Sequence, residues 1–189
     1  MKKSTKILIF SYILLGDFMD INNIQIRIND IYPEITNATN DSKTVLILKD
    51  LLSGRQGEIT GIMQYFYQSN IARQIEPNIA DLLEEIAIVE MQHMSLLMNE
   101  IIAFGGTPKY NNGKGQPFNS SYVNYTTKLK DMLDFNILGE QQAIQDYTNA
   151  QKFIRNQSLK DLINRIIEDE QLHLNAFKSL RNTVGFLSI

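Results

Sequence analysis

The chain contains no cysteine. That absence alone excludes disulfides, thiolate zinc sites, iron–sulfur clusters and an attached rubredoxin-type iron centre. Tryptophan is missing too, and 4 prolines and 10 glycines leave little punctuation, as long helices require. A net charge of −3 offers no basic footprint, so nucleic acid is not an expected partner. The apolar run Ile7 to Leu15 is too short to span a bilayer, and no membrane partner is expected. What remains is ordinary for a cytoplasmic globular chain: 189 residues, 43% hydrophobic and 21% charged, enough for one sizeable core. Histidine is nearly absent as well, with 2 in the whole chain. Their setting is therefore informative.

Both histidines end the same four-residue pattern. Glu90-Met91-Gln92-His93 and Glu170-Gln171-Leu172-His173 are each Glu-x-x-His. Positions i and i+3 share a helix face, so each copy can aim a carboxylate and an imidazole at one spot. A further glutamate precedes each copy in a helical pattern: Glu58 to Glu90 spans 32 residues and Glu140 to Glu170 spans 30. Four-helix bundles that hold two metal ions use this inventory: one Glu from each of two helices, a Glu-x-x-His from each of the others. A zinc site of the His-Glu-x-x-His kind is excluded, because the histidines lie 80 residues apart.

Around these residues the hydrophobic spacing predicts four helices. Asp41 or Ser42 caps a first helix reaching about Ser69, with Leu48, Leu51, Leu52, Ile59, Ile62 and Phe66 inward. Pro77 opens a second, with Leu82, Leu83, Ile86, Val89, Leu97 and Ile101 inward, and Gly105-Gly106 ends it. A third runs from about Thr126 to Asn156. Ser158 caps a fourth, with Leu162, Ile163, Ile166 and Ile167 inward, ending near Asn182. Short turns make helices 1–2 and 3–4 antiparallel neighbours, and the polar stretch 105–124 is long enough to cross the length of a bundle. The expected fold is an all-α, ferritin-like four-helix bundle with one long crossover between helices 2 and 3.

The expected organisation is an N-terminal arm over residues 1–41, a bundle over 42–183 and a tail over 184–189. Lys2, Lys3 and Lys6 before an apolar run resemble a secretory signal, but residues 16–20 lack a small-x-small cleavage site. The favoured reading makes Met19 the true start and residues 1–18 upstream sequence. Residues 21–35 alternate around Ile24, Ile26 and Ile28 and are expected to be extended.

The apolar stripe Ile86, Val89, Leu97 and Ile101 puts His93 on the buried side of its helix, with Glu90 beside it. Burying four carboxylates unpaired costs several kcal/mol per ion, whereas two divalent cations balance them. At these residues, over roughly Ser42 to Asn182, the chain resembles the ferritin-like superfamily, with bacterioferritins, rubrerythrins and manganese catalases as comparisons. The resemblance implies Glu58 and Glu140 as terminal metal ligands, Glu90 and Glu170 as bridging ones, and His93 and His173 as one ligand per ion. It further implies that Tyr65, seven residues after Glu58, faces the metals and that Asp169 orients an imidazole from behind. Where rubrerythrins carry an additional glutamate, three residues after Glu140, this chain has Ala143. Met91 falls where bacterioferritins place a haem-binding methionine, but it is read as core packing and no haem is expected.

Carboxylates with two imidazoles suit iron and manganese. The expected cofactor is two iron ions, with two manganese ions as the alternative. The expected activity is oxidation of Fe2+ or reduction of O2 or H2O2 in iron or oxidative-stress handling. A dimanganese catalase, and a non-enzymatic iron-storage or spore-associated protein, are the alternatives. A homo-oligomer, at least a dimer, is expected. Four asparagine sequons, at Asn37, Asn40, Asn119 and Asn124, are read as chance in an asparagine-rich chain, and Gly105-Gly106-Thr107-Pro108 as a helix stop rather than a phosphate cradle.

Overall fold

The structure, a computed structural model, describes residues 24–186. The expectations about a leader segment and about Met19 fall outside those residues. The helices are α1 (Ser42–Ser53), α2 (Glu58–Ala72), α3 (Pro77–Ala103), α4 (Leu129–Gln151) and α5 (Gln157–Phe186), and the described residues form no strand beyond one isolated bridge. α2 packs chiefly on α3, and α4 on α5. The crossover between α3 and α4 contains a single 3₁₀ turn at Ser120–Tyr122. This is the four-helix bundle with one long connection that the spacing predicts, and no described helix is long and apolar enough to cross a membrane.

The start and stop signals act as their chemistry requires. The Asp41 side chain accepts from the N–H groups of Lys43 and Thr44, satisfying two orphan donors of α1. Pro77 occupies the first turn of α3. Gly105, at φ 85°, lets its own N–H reach Ile102 O while Gly106 N–H reaches Ile101 O, which closes the helix.

Several boundaries differ from expectation. The first helix is two helices, because Gly54 and Gly57 fold the chain back on itself. A Cβ at Gly54 would sit 2.3 Å from Asp50 O, and one at Gly57 would sit 2.5 Å from Leu51 O. Glu58 therefore stands at the first position of α2 rather than mid-helix. Phe66 points outward at 54% exposure, since the break rotates α2 relative to the stripe of α1. α4 begins at Leu129 and ends at Gln151, and α5 is capped by Asn156, whose side chain accepts from Leu159 N–H, not by Ser158. α5 continues to Phe186, past the boundary expected at 183.

The core has two apolar clusters with a polar layer between them. One joins α1 to the C-terminal half of α3, the end of α4 and the start of α5, through Leu48, Leu52, Leu97, Ile101, Leu159 and Ile163. The other joins α2 to the N-terminal half of α3, the start of α4 and the end of α5, through Leu83, Ile86, Leu133, Phe177 and Leu180. Residues 24–41 contain no helix, and Ile24, Ile26 and Ile28 are half-buried while residues 25, 27 and 29 are exposed. That alternation is the signature of an extended arm lying on a surface.

Candidate metal centre

The polar layer is where the six singled-out residues meet. Glu58, Glu90, His93, Glu140, Glu170 and His173 come from four different helices, and none is more than 5% exposed. Two overlapping groups form: Glu58, Glu90, His93 and Glu170, and Glu90, Glu140, Glu170 and His173. Within each group the donor atoms all lie within 4.8 Å of one another.

The shared glutamates reach both imidazoles. One oxygen of Glu90 lies 3.1 Å from His93 Nδ1 and the other 3.2 Å from His173 Nδ1. Glu170 does the same, at 3.2 Å to each. Glu58 and Glu140 touch one histidine apiece, Glu58 at 3.7 Å from His93 Nδ1 and Glu140 at 4.0 Å from His173 Nδ1.

Two tyrosines cross over this arrangement. Tyr65, on the helix of Glu58, donates its hydroxyl hydrogen bond to Glu140, and Tyr147, on the helix of Glu140, donates to Glu58. Tyr147 escaped the sequence reading, although it follows Glu140 by seven residues just as Tyr65 follows Glu58. The repeat of that spacing was the available signal. The structure places Asp169 behind the imidazole of His93, across the bundle, with Asp169 Oδ2 3.3 Å from its Nε2. Met91 is not core packing: it is 43% exposed.

Electrostatics divide the carboxyls into two kinds. Burial, then the charge of Glu90, pushes Glu58 well above the usual carboxyl range, and burial with Glu170 does the same to Glu140. Burial and mutual repulsion act upward on Glu90 too, yet His173 and His93 hold it below the usual value. Glu170 is likewise lowered, because both imidazoles outweigh its burial. Both histidines are raised: burial opposes their charge, and the carboxylates around them overcome it. The shared glutamates are thus pulled toward the charged form by the imidazoles, while the terminal glutamates are pushed toward the neutral one.

The donor set fits a pair of divalent ions. Four carboxylates and two Nδ1 atoms converge in one buried layer, and Glu58 Oε2 is buried with no hydrogen-bond partner among the described residues. Oxygen and imidazole donors without sulfur are those that iron and manganese take. Between α2 and α4 a cavity of about 30 Å³ opens onto these carboxylates. Gly57, Gly61, Gly139 and Ala143 border it alongside Gln56, Gln64 and Tyr65. That volume holds about two water-sized molecules.

A helical bundle with one crossover and a buried layer of four glutamates and two histidines defines a ferritin-like protein of the dinuclear metal kind. The chain belongs to the rubrerythrin family, whose model matches residues 50–181. A curated relative, a probable manganese catalase of Clostridium acetobutylicum, is 23% identical over 185 residues, 87% of this chain and 77% of that protein. Among solved structures, a manganese catalase from Anabaena superimposes with a TM-score of 0.76 at 21% identity, covering 84% of this chain and 80% of that one. A bacterioferritin from Desulfovibrio desulfuricans superimposes with a TM-score of 0.67 at 23% identity, covering 77% and 82%. At such identities the two structures speak for the fold alone.

Proposed function

We propose that this protein is a dinuclear iron or manganese oxidoreductase whose substrate is hydrogen peroxide. The carrying observation is that all six donors are buried beside a cavity of about 30 Å³, which has room for a molecule the size of peroxide. Glu58 and His93 would hold one ion and Glu140 and His173 the other, with Glu90 and Glu170, which belong to both groups, shared between them. When bound, such a pair supplies two-electron redox chemistry by cycling between the +2 and +3 states. Tyr65 and Tyr147 hold the terminal carboxyls from opposite helices, and Gly61 and Gly139 border the cavity. Ala143 lines the same cavity and offers no additional ligand.

The relative from Clostridium acetobutylicum supports catalase-type turnover, in which peroxide is both oxidant and reductant. Oxygen evolution from peroxide by the manganese-loaded and iron-loaded protein, with no added donor, tests this. Turnover in at least one form is expected, and none in either form at full metal occupancy would contradict it. A second reading, oxidation of Fe2+ by O2, is favoured by the two buried phenols beside the centre. Each can give up one electron, and reduction of O2 to water needs more than the two that a metal pair supplies. A homo-oligomer, at least a dimer, is part of the same proposal, supported by Met63, Phe66, Ile88 and Ile102, all more than half exposed on α2 and α3.

A further inference from the structure

The arm ties the two apolar clusters together across the polar layer. Ile24 and Ile26 pack on one cluster, and Tyr32, Ile35 and Ala38 on the other. Where it crosses, it closes around Asp169. Ile28 N–H donates to Asp169 Oδ1 at 2.7 Å, and the Tyr32 hydroxyl donates to Oδ2 at 2.7 Å. Arg165 completes the ring: its Nη1 lies 2.7 Å from Asp169 Oδ1, and its Nη2 donates to Ile28 O at 2.6 Å. The guanidinium also stacks 4.6 Å from the centre of the Tyr32 ring, whose edge meets His93.

Asp169 Oδ2, so held, faces His93 Nε2. An acceptor there keeps the proton on Nε2 and leaves the Nδ1 lone pair free toward the carboxylates. His173 has no such support. Its Nε2 is buried with no hydrogen-bond partner among the described residues. The reason is in the sequence: Asp169 precedes Glu170, but the matching position before Glu90 is Val89, which has no acceptor. Among the described residues, the near-twofold centre is therefore braced on one side only.

We propose that the arm, through Tyr32 and Asp169, positions His93 as a ligand, so that the two metal positions differ and the ion on Glu58 and His93 binds first. This rests on the ligand assignment above. Tyr32 is a positioning residue that acts through Asp169 and touches no metal. By reciprocity, filling the His93 side also favours docking of the arm.

The test is titration of the metal-free full-length protein with Co2+, followed by its visible absorption. The wild type should take up two ions in two steps separated by ~10-fold or more in affinity. Tyr32→Phe, which removes only the hydroxyl, should weaken the first step by ~10-fold, leave the second unchanged and alter only the first-step spectrum. A merely structural tyrosine would instead lower the melting temperature of the metal-free protein and shift both steps together. A single class of site in the wild type, or a Tyr32→Phe protein whose two steps move equally or not at all, overturns the brace. Uptake of fewer than two ions by the wild type, or of both ions by Glu90→Ala, overturns the ligand assignment beneath it.

Discussion

Glu90 and Glu58 differ in how many imidazoles they reach, and that difference sets what each contributes. Glu90 and Glu170 place one oxygen near each histidine, while Glu58 and Glu140 stand beside one apiece. Replacing a bridge removes a donor from both ions, whereas replacing a terminal carboxylate removes it from one. Glu90→Ala and Glu170→Ala are therefore expected to lower metal content more than Glu58→Ala does. Elemental analysis after identical loading checks this, and equal loss across the three variants would contradict the bridging assignment. All six residues were legible in the sequence because helical periodicity and the repeated Glu-x-x-His are local patterns. Tyr32 was not legible, because its importance comes from meeting Asp169, 137 positions away, and no local pattern encodes such a meeting. Arg165 precedes Asp169 by four residues on the same helix, a local spacing that went unread.

At the scale of elements, helix existence and inward faces followed from spacing, while one junction did not. The stripe through Leu48, Leu52, Ile59 and Ile62 continues at helical spacing across residues 54–57. The two glycines there are what the stripe conceals. They permit a backbone approach that a Cβ forbids, and α2 starts afresh at Glu58. Gly57→Ala should force Leu51 O and the incoming Cβ apart and displace the start of α2. Overpacking of this kind costs about 1–3 kcal/mol. Thermal denaturation of the metal-free protein should show that loss, and metal uptake on the Glu58 side should weaken with it. An unchanged melting temperature would mean that the junction relaxes freely. The extended arm was legible from its alternation, but its partner was not. Period-two burial shows that a strand-like segment lies on something without saying on what.

Across the whole molecule, protons and metal compete for the same buried layer. His93, His173, Glu58 and Glu140 all hold protons above their ordinary pKa ranges, the histidines because carboxylates surround them and the glutamates because they are buried. Metal ligation needs these groups deprotonated, so binding releases the protons they hold. Because binding releases protons, apparent metal affinity rises with pH and falls as the solution is acidified. Calorimetric titration in buffers of different ionisation enthalpy counts the protons, and affinity independent of pH would contradict this picture. The two apolar clusters bury their stripes without metal, so the metal-free chain should fold, and metal should raise its melting temperature by linkage. The claim on which the rest depends is that one buried layer holds two ions between Glu90 and Glu170. Anomalous X-ray diffraction from crystals of the manganese-loaded protein tests it most directly. The account predicts two peaks a few ångströms apart, one beside His93 Nδ1 and one beside His173 Nδ1. A single peak, or peaks lying away from these six residues, would contradict it.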